Sequence, residues 1–263
     1  MVLEELVRVQ EELAASLRAI GETVRHRQAP LGEVGWKGRS DPVTEWDRAI
    51  ETRLMAQLGR LTPEIPVWSE ESRPVLPSPQ GLRWILDPLD GTLNATHGFP
   101  HQAIALALQS GERIELGWVY DLYRDQLFFA RRGRGAYLDG QRLTVSAVDT
   151  LSSALIAAGA LWKGELPVYQ ALAPRCQDLR RGGSAALDLA WVAAGWVDGF
   201  VERRLQPWDV AAGALLVEEA HGRVTDLAGS PLSWSGPLDV VASNRRLHSA
   251  LLDALQEAGL VGG

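Results

Sequence analysis

Trp84-Ile85-Leu86-Asp87-Pro88-Leu89-Asp90-Gly91-Thr92 is a short apolar run that ends abruptly in two carboxylates. Trp84-Ile85-Leu86 has the β-branched and aromatic character of a buried strand, and Asp87-Pro88 predicts its break, since proline fixes φ and removes a ladder donor. Asp87 and Asp90 then fall on the same side of a turn, with the Leu89 carbonyl between them. That is an all-oxygen donor set of the kind hard cations take. Gly91 lets backbone approach a ligand, and the N–H groups of Gly91 and Thr92 are free to meet phosphate oxygens. An ordinary Asx turn accounts for the same residues, because Asp-Pro and Asp-Gly are common turn dipeptides.

Three other segments carry acidic groups at element ends. Ser69-Glu70-Glu71-Ser72 follows a predicted strand over 65–68 and supplies a possible third carboxylate, or simply a solvated acidic loop. Trp208-Asp209-Val210-Ala211-Ala212-Gly213 opens a predicted helix over 209–221. Asp209 there is a helix cap or a ligand, and the small residues behind it point to close packing. Thr44 and Asp47 have capping-box spacing at the start of a second helix whose buried face is Ile50, Leu54 and Leu58.

The remaining chain reads as layered α/β structure. Leu3, Leu6, Val7, Leu13, Leu17 and Ile20 have helical spacing, and 21–42 is irregular. Residues 73–81 form a loop. Strands are expected at 103–109, 113–120 and 126–130, with a hairpin turn at Asp139-Gly140. Behind them come strand 154–159, helix 184–195, strand 197–202, helix 209–221, strand 238–243 and helix 246–258. The change of pattern near residue 145 divides the chain into an α+β half, 1–145, and an α/β half, 146–263.

Composition bounds the function. The 263 residues are 46% hydrophobic and 22% charged, ordinary for a globular protein, and the formal net charge is −7. A dominant nucleic-acid or anionic-membrane surface is therefore not expected. Cys176 is the single cysteine, so neither an internal disulfide nor a cysteine zinc site is available. The acidic start and the lack of a long apolar run predict a cytoplasmic protein without a membrane span. Lys37 and Lys163 are the only lysines among 26 basic residues. Walker, nucleophile-elbow and His-Glu-x-x-His motifs are absent. Arg131-Arg132-Gly133-Arg134 is a brief basic run at a hairpin edge.

Taken together these segments resemble the inositol monophosphatase family of lithium-sensitive, magnesium-dependent phosphatases. Trp84 to Thr92 is similar to its first signature and Trp208 to Gly213 to its second. Ser69-Glu70-Glu71-Ser72 resembles its Gly-Glu-Glu segment, and Asp41-Pro42-Val43-Thr44-Glu45-Trp46-Asp47 its Asp-x-Val-Thr-x-x-Asp segment. Ser69 replaces the family's usual glycine, and Ala95 stands where an aromatic often follows Asn94.

The resemblance implies an alternating αβαβα sandwich of the inositol monophosphatase and fructose-1,6-bisphosphatase type. It implies two or three Mg²⁺ held by Glu70, Asp87, the Leu89 carbonyl, Asp90 and Asp209. Thr92 and Asp47 would position and deprotonate a metal-activated water, with Glu70 assisting. Gly91 and Thr92 would hold phosphate. Gly183, Ser184, Ala185, Glu202 and Asp209 would contact substrate. The implied substrate is inositol monophosphate or a similar polyol phosphate, and the implied assembly a homodimer. Histidinol phosphate, fructose 1,6-bisphosphate and adenosine 3',5'-bisphosphate are alternatives, as is a regulatory RNA- or transcription-binding role on the same fold. Arg203 and Arg204 leave open whether a second phosphate is bound.

Overall fold

A computed structural model describes residues 3–26, 35–38, 41–72, 81–160 and 164–260. The predicted loop over 73–81 lies outside them except for Gly81.

The chain begins with helix α1 (Leu3–His26), a small hairpin of β1 (Gly35–Gly38) and β2 (Asp41–Val43), and helix α2 (Glu45–Leu61). Then come β3 (Val67–Ser69), β4 (Leu82–Asp90), the short helix α3 (Thr92–Thr96), β5 (Ala103–Ser110), β6 (Arg113–Asp121), β7 (Gln126–Arg131), β8 (Gly135–Leu138) and β9 (Gln141–Arg142). β3 to β9 form one seven-stranded sheet in sequence order, antiparallel except where β3 runs parallel to β4.

The second part contains β10 (Leu155–Ala158), α4 (Leu166–Leu172), β11 (Asp178–Arg180), α5 (Ala185–Ala193), β12 (Gly199–Leu205), α6 (Pro207–Glu219), β13 (Arg223–Thr225), β14 (Leu238–Ser243) and α7 (His248–Glu257). Its strands make a five-stranded sheet in the order β11-β10-β12-β14-β13.

Period-two alternation distributes each strand's side chains between two layers. Trp84, Leu86, Ile104, Leu106 and Trp118 pack with Leu13, Leu17, Ile50 and Leu54 of α1 and α2. Ile85, Ala105, Ala107 and Val119 face the opposite way, onto α5 and α6. The other face of α5 and α6 meets Phe200, Val240 and Ala242 of the second sheet. Beyond that sheet, Ile156, Val201 and Val241 pack on Val168, Leu172 and Leu251 of α4 and α7. The layers are thus helix, sheet, helix, sheet, helix, the alternating arrangement expected from the sequence.

Helix α6 occupies the central layer and is buried from Pro207 to Val217 except at Asp209. A helix apolar on every side belongs in such a place. The close approach needs small residues: a Cβ on Gly213 would lie 2.5 Å from Leu189 Cβ in α5.

Several boundaries differ from expectation. β4 does not stop at Asp87 but pairs with β5 as far as Asp90. α1 continues to His26, and β1 and β2 interrupt the segment expected to be irregular. β3 begins at Val67, because Ile65 is still tied to Thr62 O in the turn after α2. α4, β11 and β13 carry too few residues to show a period. Helix α6 begins at Pro207, so Asp209 is its third residue rather than its cap, and Gln206 is the cap.

Candidate metal centre

The two carboxylates of β4 converge because the strand is bulged. Asp87 pairs with Ala105 and Asp90 with Ala103, so three steps along β4 oppose two along β5. Pro88, which has no N–H to give a ladder, sits inside the bulge. Asp87 Oδ1 accepts from Leu89 N at 3.0 Å, which fixes the turn. Gly91 follows with φ +93, and a Cβ there would be 2.9 Å from His101 O, so only glycine fits without displacing backbone.

Glu70 arrives from the neighbouring strand. The parallel register sets Ser69 beside Leu86, and Glu70 N donates to Leu86 O at 3.1 Å, so Glu70 stands beside Asp87. Asp209 arrives from the start of α6, where its Oδ2 accepts from Gln206 N at 2.8 Å. Trp208 packs edge-on to Trp68 at 5.4 Å, locking the start of α6 to the strand that carries Glu70. One carboxylate oxygen from each of Glu70, Asp87 and Asp209 lies within 4.8 Å of the others. Asp90 is held from a third direction: Ser184 Oγ donates to its Oδ2 at 2.6 Å and Ala186 N at 2.7 Å.

The electrostatics of this cluster are unfavourable without a cation. Asp87 is fully buried, and burial first, then the charges of Glu70, Asp90 and Asp209, push its carboxyl well above the usual range. Convergent oxygen donors whose mutual repulsion a divalent ion would relieve fit a hard-cation centre.

Beside the cluster lies a second carboxylate of different character. Asp47 is buried, and its Oδ2 accepts from Thr44 N at 2.7 Å and Thr44 Oγ1 at 2.5 Å, closing the capping box of α2. Its Oδ1 accepts from Thr92 Oγ1 at 3.0 Å. Thr92 Oγ1 is also 2.9 Å from Leu89 O, so one hydroxyl is shared between two acceptors. Burial raises the Asp47 carboxyl despite the bonds from Thr44. Capping and proximity to the cluster are therefore combined in one side chain.

A cavity of about 240 Å³ opens over these groups. Glu70, Asp87, Leu89, Asp90, Gly91, Thr92 and Asp209 line one end, and Gly183, Ala185 and Glu202 lie toward the other. Ser184 is buried beneath the lining, with its hydroxyl on Asp90. Glu202 reaches the cavity over Gly159, where a Cβ would lie 2.3 Å from Glu202 Cγ. Arg204 lines the cavity, whereas Arg203 turns to Glu165 Oε2 at 3.2 Å and Gly164 O at 2.9 Å.

Some lining residues had no signal in the sequence. Arg181 is one of several arginines, and nothing local marks it as facing the cavity. Asn94 is visible in the sequence only through the family resemblance; in the fold its Nδ2 donates to His101 O at 2.8 Å and Gly182 O at 3.0 Å, joining the two loops that frame the cavity. Gly159 is in sequence only the last residue of the predicted strand 154–159.

Residues 2–260 match the inositol monophosphatase family profile. The chain belongs to the inositol monophosphatase family. It is 40% identical over 231 residues to the Nus factor SuhB of Escherichia coli K12, covering 86% of each chain. It is 38% identical over 234 residues to the inositol-1-monophosphatase of Caulobacter vibrioides, covering 86% of this chain and 91% of that one. Among solved structures, the Thermotoga maritima IMPase superposes with a TM-score of 0.88 at 30% identity, over 95% of this chain and 97% of the other. The carboxylate cluster and Thr92–Asp47 pair are thus set in a chain of a metal-dependent phosphatase family with that family's fold. Among the described residues no helix is long and apolar enough to cross a membrane.

Proposed function

We propose that the protein is a Mg²⁺-dependent phosphomonoesterase acting on inositol monophosphate or a similar polyol phosphate. The observation that carries this reading is the convergence of Glu70, Asp87 and Asp209 within 4.8 Å, beside the Thr92–Asp47 hydrogen bond. Glu70, Asp87, the Leu89 carbonyl, Asp90 and Asp209 would hold two or three ions. When bound, Mg²⁺ neutralises the phosphate and acidifies water, which removes the chief barrier to ester hydrolysis.

The chain's own groups do the rest. Gly91 and Thr92 N–H groups receive phosphate oxygens. Thr92 Oγ1 orients the attacking water, and Asp47, held above the ordinary carboxylate range by burial, takes its proton. Ala185 and Gly183 flank the substrate, and Glu202 accepts from a polyol hydroxyl. Ser184 contributes indirectly by fixing Asp90. No side chain is required as a covalent nucleophile.

The protein is further proposed to be cytoplasmic, lithium-sensitive and a homodimer. Phe99, Tyr123 and Trp196 are exposed aromatics available to such a contact. A regulatory role in transcription is the second reading, supported by relatives carrying the Nus factor name at 40% identity. Phosphate release from a panel of monoesters, with and without Mg²⁺ and with Li⁺ added, separates the two. Mg²⁺-dependent, Li⁺-sensitive release supports the phosphatase. No release from any ester overturns it in favour of the binding role.

A further inference from the structure

The face of β4 that carries Asp87 also carries Ile85 and Arg83, each two residues further back along the strand. On β3 the same face carries Trp68 and, one step past the strand, Glu70. Trp68 pairs with Ile85, so Arg83 and Asp87 flank it diagonally on the neighbouring strand. The Arg83 guanidinium lies over the Trp68 ring, 4.4 Å from its centroid. Trp68 in turn meets Trp208 edge-on, at 5.4 Å and an interplanar angle of 89°. Trp208 immediately precedes Asp209. A stack of one cation and two rings thus ends beside Glu70 and Asp209, two of the three carboxylates that come within 4.8 Å of one another.

Arg83 is an unexpected occupant of this layer. It is only 6% exposed, and among the described residues it enters no ion pair. Its Nε donates to Gln109 Oε1 at 2.6 Å, directly across the ladder in β5, and its Nη2 donates to Trp234 O at 2.9 Å. Trp234 Nε1 donates to Glu112 O at 3.2 Å, which ties the loop before β14 to the same sheet. Burial disfavours the Arg83 charge, with Glu112 acting against that. An apolar side chain would fill this space with less desolvation. What the guanidinium supplies instead is orientation: its plane is fixed by two acceptors, and its face fixes the ring beneath it.

Orientation matters here because the carboxylates repel one another. Glu70 and Asp209 belong to different elements, and no hydrogen bond to Asp87 draws them together. An ion that must first gather its ligands binds less tightly than one that finds them in place. We infer that Arg83 is a positioning residue of the metal centre. Stacked on Trp68, it holds the Trp68–Trp208 pair and so keeps Glu70 and Asp209 at ion-binding separation. The inference rests on the metal-centre part of the phosphatase reading and adds a residue that touches neither ion nor substrate.

The test measures Mg²⁺ binding to the metal-free protein by calorimetry, with a melting curve for each variant. Arg83→Met keeps the apolar stem and removes the fork; Trp68→Leu removes the ring. The Mg²⁺ Kd is expected to rise about tenfold to a hundredfold in Arg83→Met. Trp68→Leu should raise it by a similar factor, and the double variant no further, since the two act through one contact. Arg83→Lys, which keeps a cation over the ring, recovers part of the affinity. In turnover, the loss appears as a higher Mg²⁺ requirement, with kcat largely restored at saturating Mg²⁺. Ile104→Val, in the core on the other face of the sheet, controls for lost stability alone and should leave the Kd unchanged.

An unchanged Kd in folded Arg83→Met overturns the inference and leaves the metal centre standing. So do additive effects of Arg83→Met and Trp68→Leu, or an equal rise of Kd in Ile104→Val. If Arg83→Met does not fold, Arg83→Lys and Trp68→Leu decide the matter, and wild-type Kd values in both overturn the inference. A wild-type protein that binds no Mg²⁺ overturns the metal-centre reading itself, and the inference with it.

Discussion

Thr92 Oγ1 donates to Asp47 Oδ1 at 3.0 Å, joining the start of α3, just past the bulged strand, to the first turn of α2. The pair puts a hydroxyl and a buried carboxylate in line with the cavity. Asp47's other oxygen is spent on Thr44, so its orientation is fixed before any ligand arrives. Thr92→Val keeps the shape and removes the hydroxyl. The expected loss of kcat is about a hundredfold to ten-thousandfold, the range for a positioned acid–base group. Thermal melting should change little. Near-normal turnover in Thr92→Val would remove the pair from the chemistry.

Asp87 gives a prediction of opposite signs for stability and activity. Asp87→Asn keeps the oxygen that accepts from Leu89 N. It removes one of several mutually repelling charges. The metal-free variant should melt higher than the metal-free wild type at pH 8, while Mg²⁺-dependent turnover is abolished. A lower melting temperature with activity retained would contradict the metal centre.

The same residue ties metal binding to pH. With its folded carboxyl raised, the native metal-free protein holds more protons than the unfolded chain at mildly acidic pH. Its contribution to stability is present at low pH and falls as pH rises through the raised value. Divalent ions bind the deprotonated form, so stabilisation by Mg²⁺ should grow from pH 5 to pH 8. Paired melting curves with and without Mg²⁺ at the two pH values measure it. An equal Mg²⁺ shift at both would count against the coupling.

Asp188 is buried beneath the Gly182–Gly183 loop, and its Oδ1 makes no hydrogen bond among the described residues. Burial, Glu202 and Asp90 push its carboxyl well up, and Oδ1 stands 3.9 Å from His101 Nε2. A neutral acid is therefore expected, and Asp188→Asn should be tolerated. Asp188→Ala, which leaves a void beneath the loop, should cost about 0.5–3 kcal/mol. Denaturant titrations of both variants test this. Equal damage from Asn and Ala would show that the negative charge is needed.

His101 and His248 are both pushed down to about 4, chiefly by burial. Each is neutral in the fold but protonates near 6.5 when unfolded. Their contribution is present above 6.5 and is lost as pH falls toward 4. In an NMR titration two of the five imidazoles should stay unprotonated down to about pH 5. Ordinary midpoints for all five would contradict the packing of His101 against Trp191 and of His248 between Thr225 and Ser243.

Much of the architecture was legible because burial writes a period into long elements. Leu13, Leu17 and Ile20 in α1, the Thr44–Asp47 cap of α2 and the apolar run of β5 are local signals. The carboxylates were legible as well, since each stands near a predicted element end. The extent of β4 was not, because proline ordinarily ends a strand and only the facing β5 shows that Pro88 lies in a bulge. Helix α6 starts two residues before the predicted 209, because Pro207 at the first helical position and Asp209 at a cap look alike in one dimension.

The sequence alone determined the residue types, oxygen donors at turns and a central helix of small apolar residues. The tertiary structure decided which of them meet. The register of β3 brings Glu70 beside Asp87, Trp208 against Trp68 fixes Asp209, and the α5 start orients Asp90. It also turned Arg203 away while leaving Arg181 and Arg204 at the cavity. Local propensity acts over a few neighbouring residues, whereas the distance between charges on different elements is set by how whole layers pack.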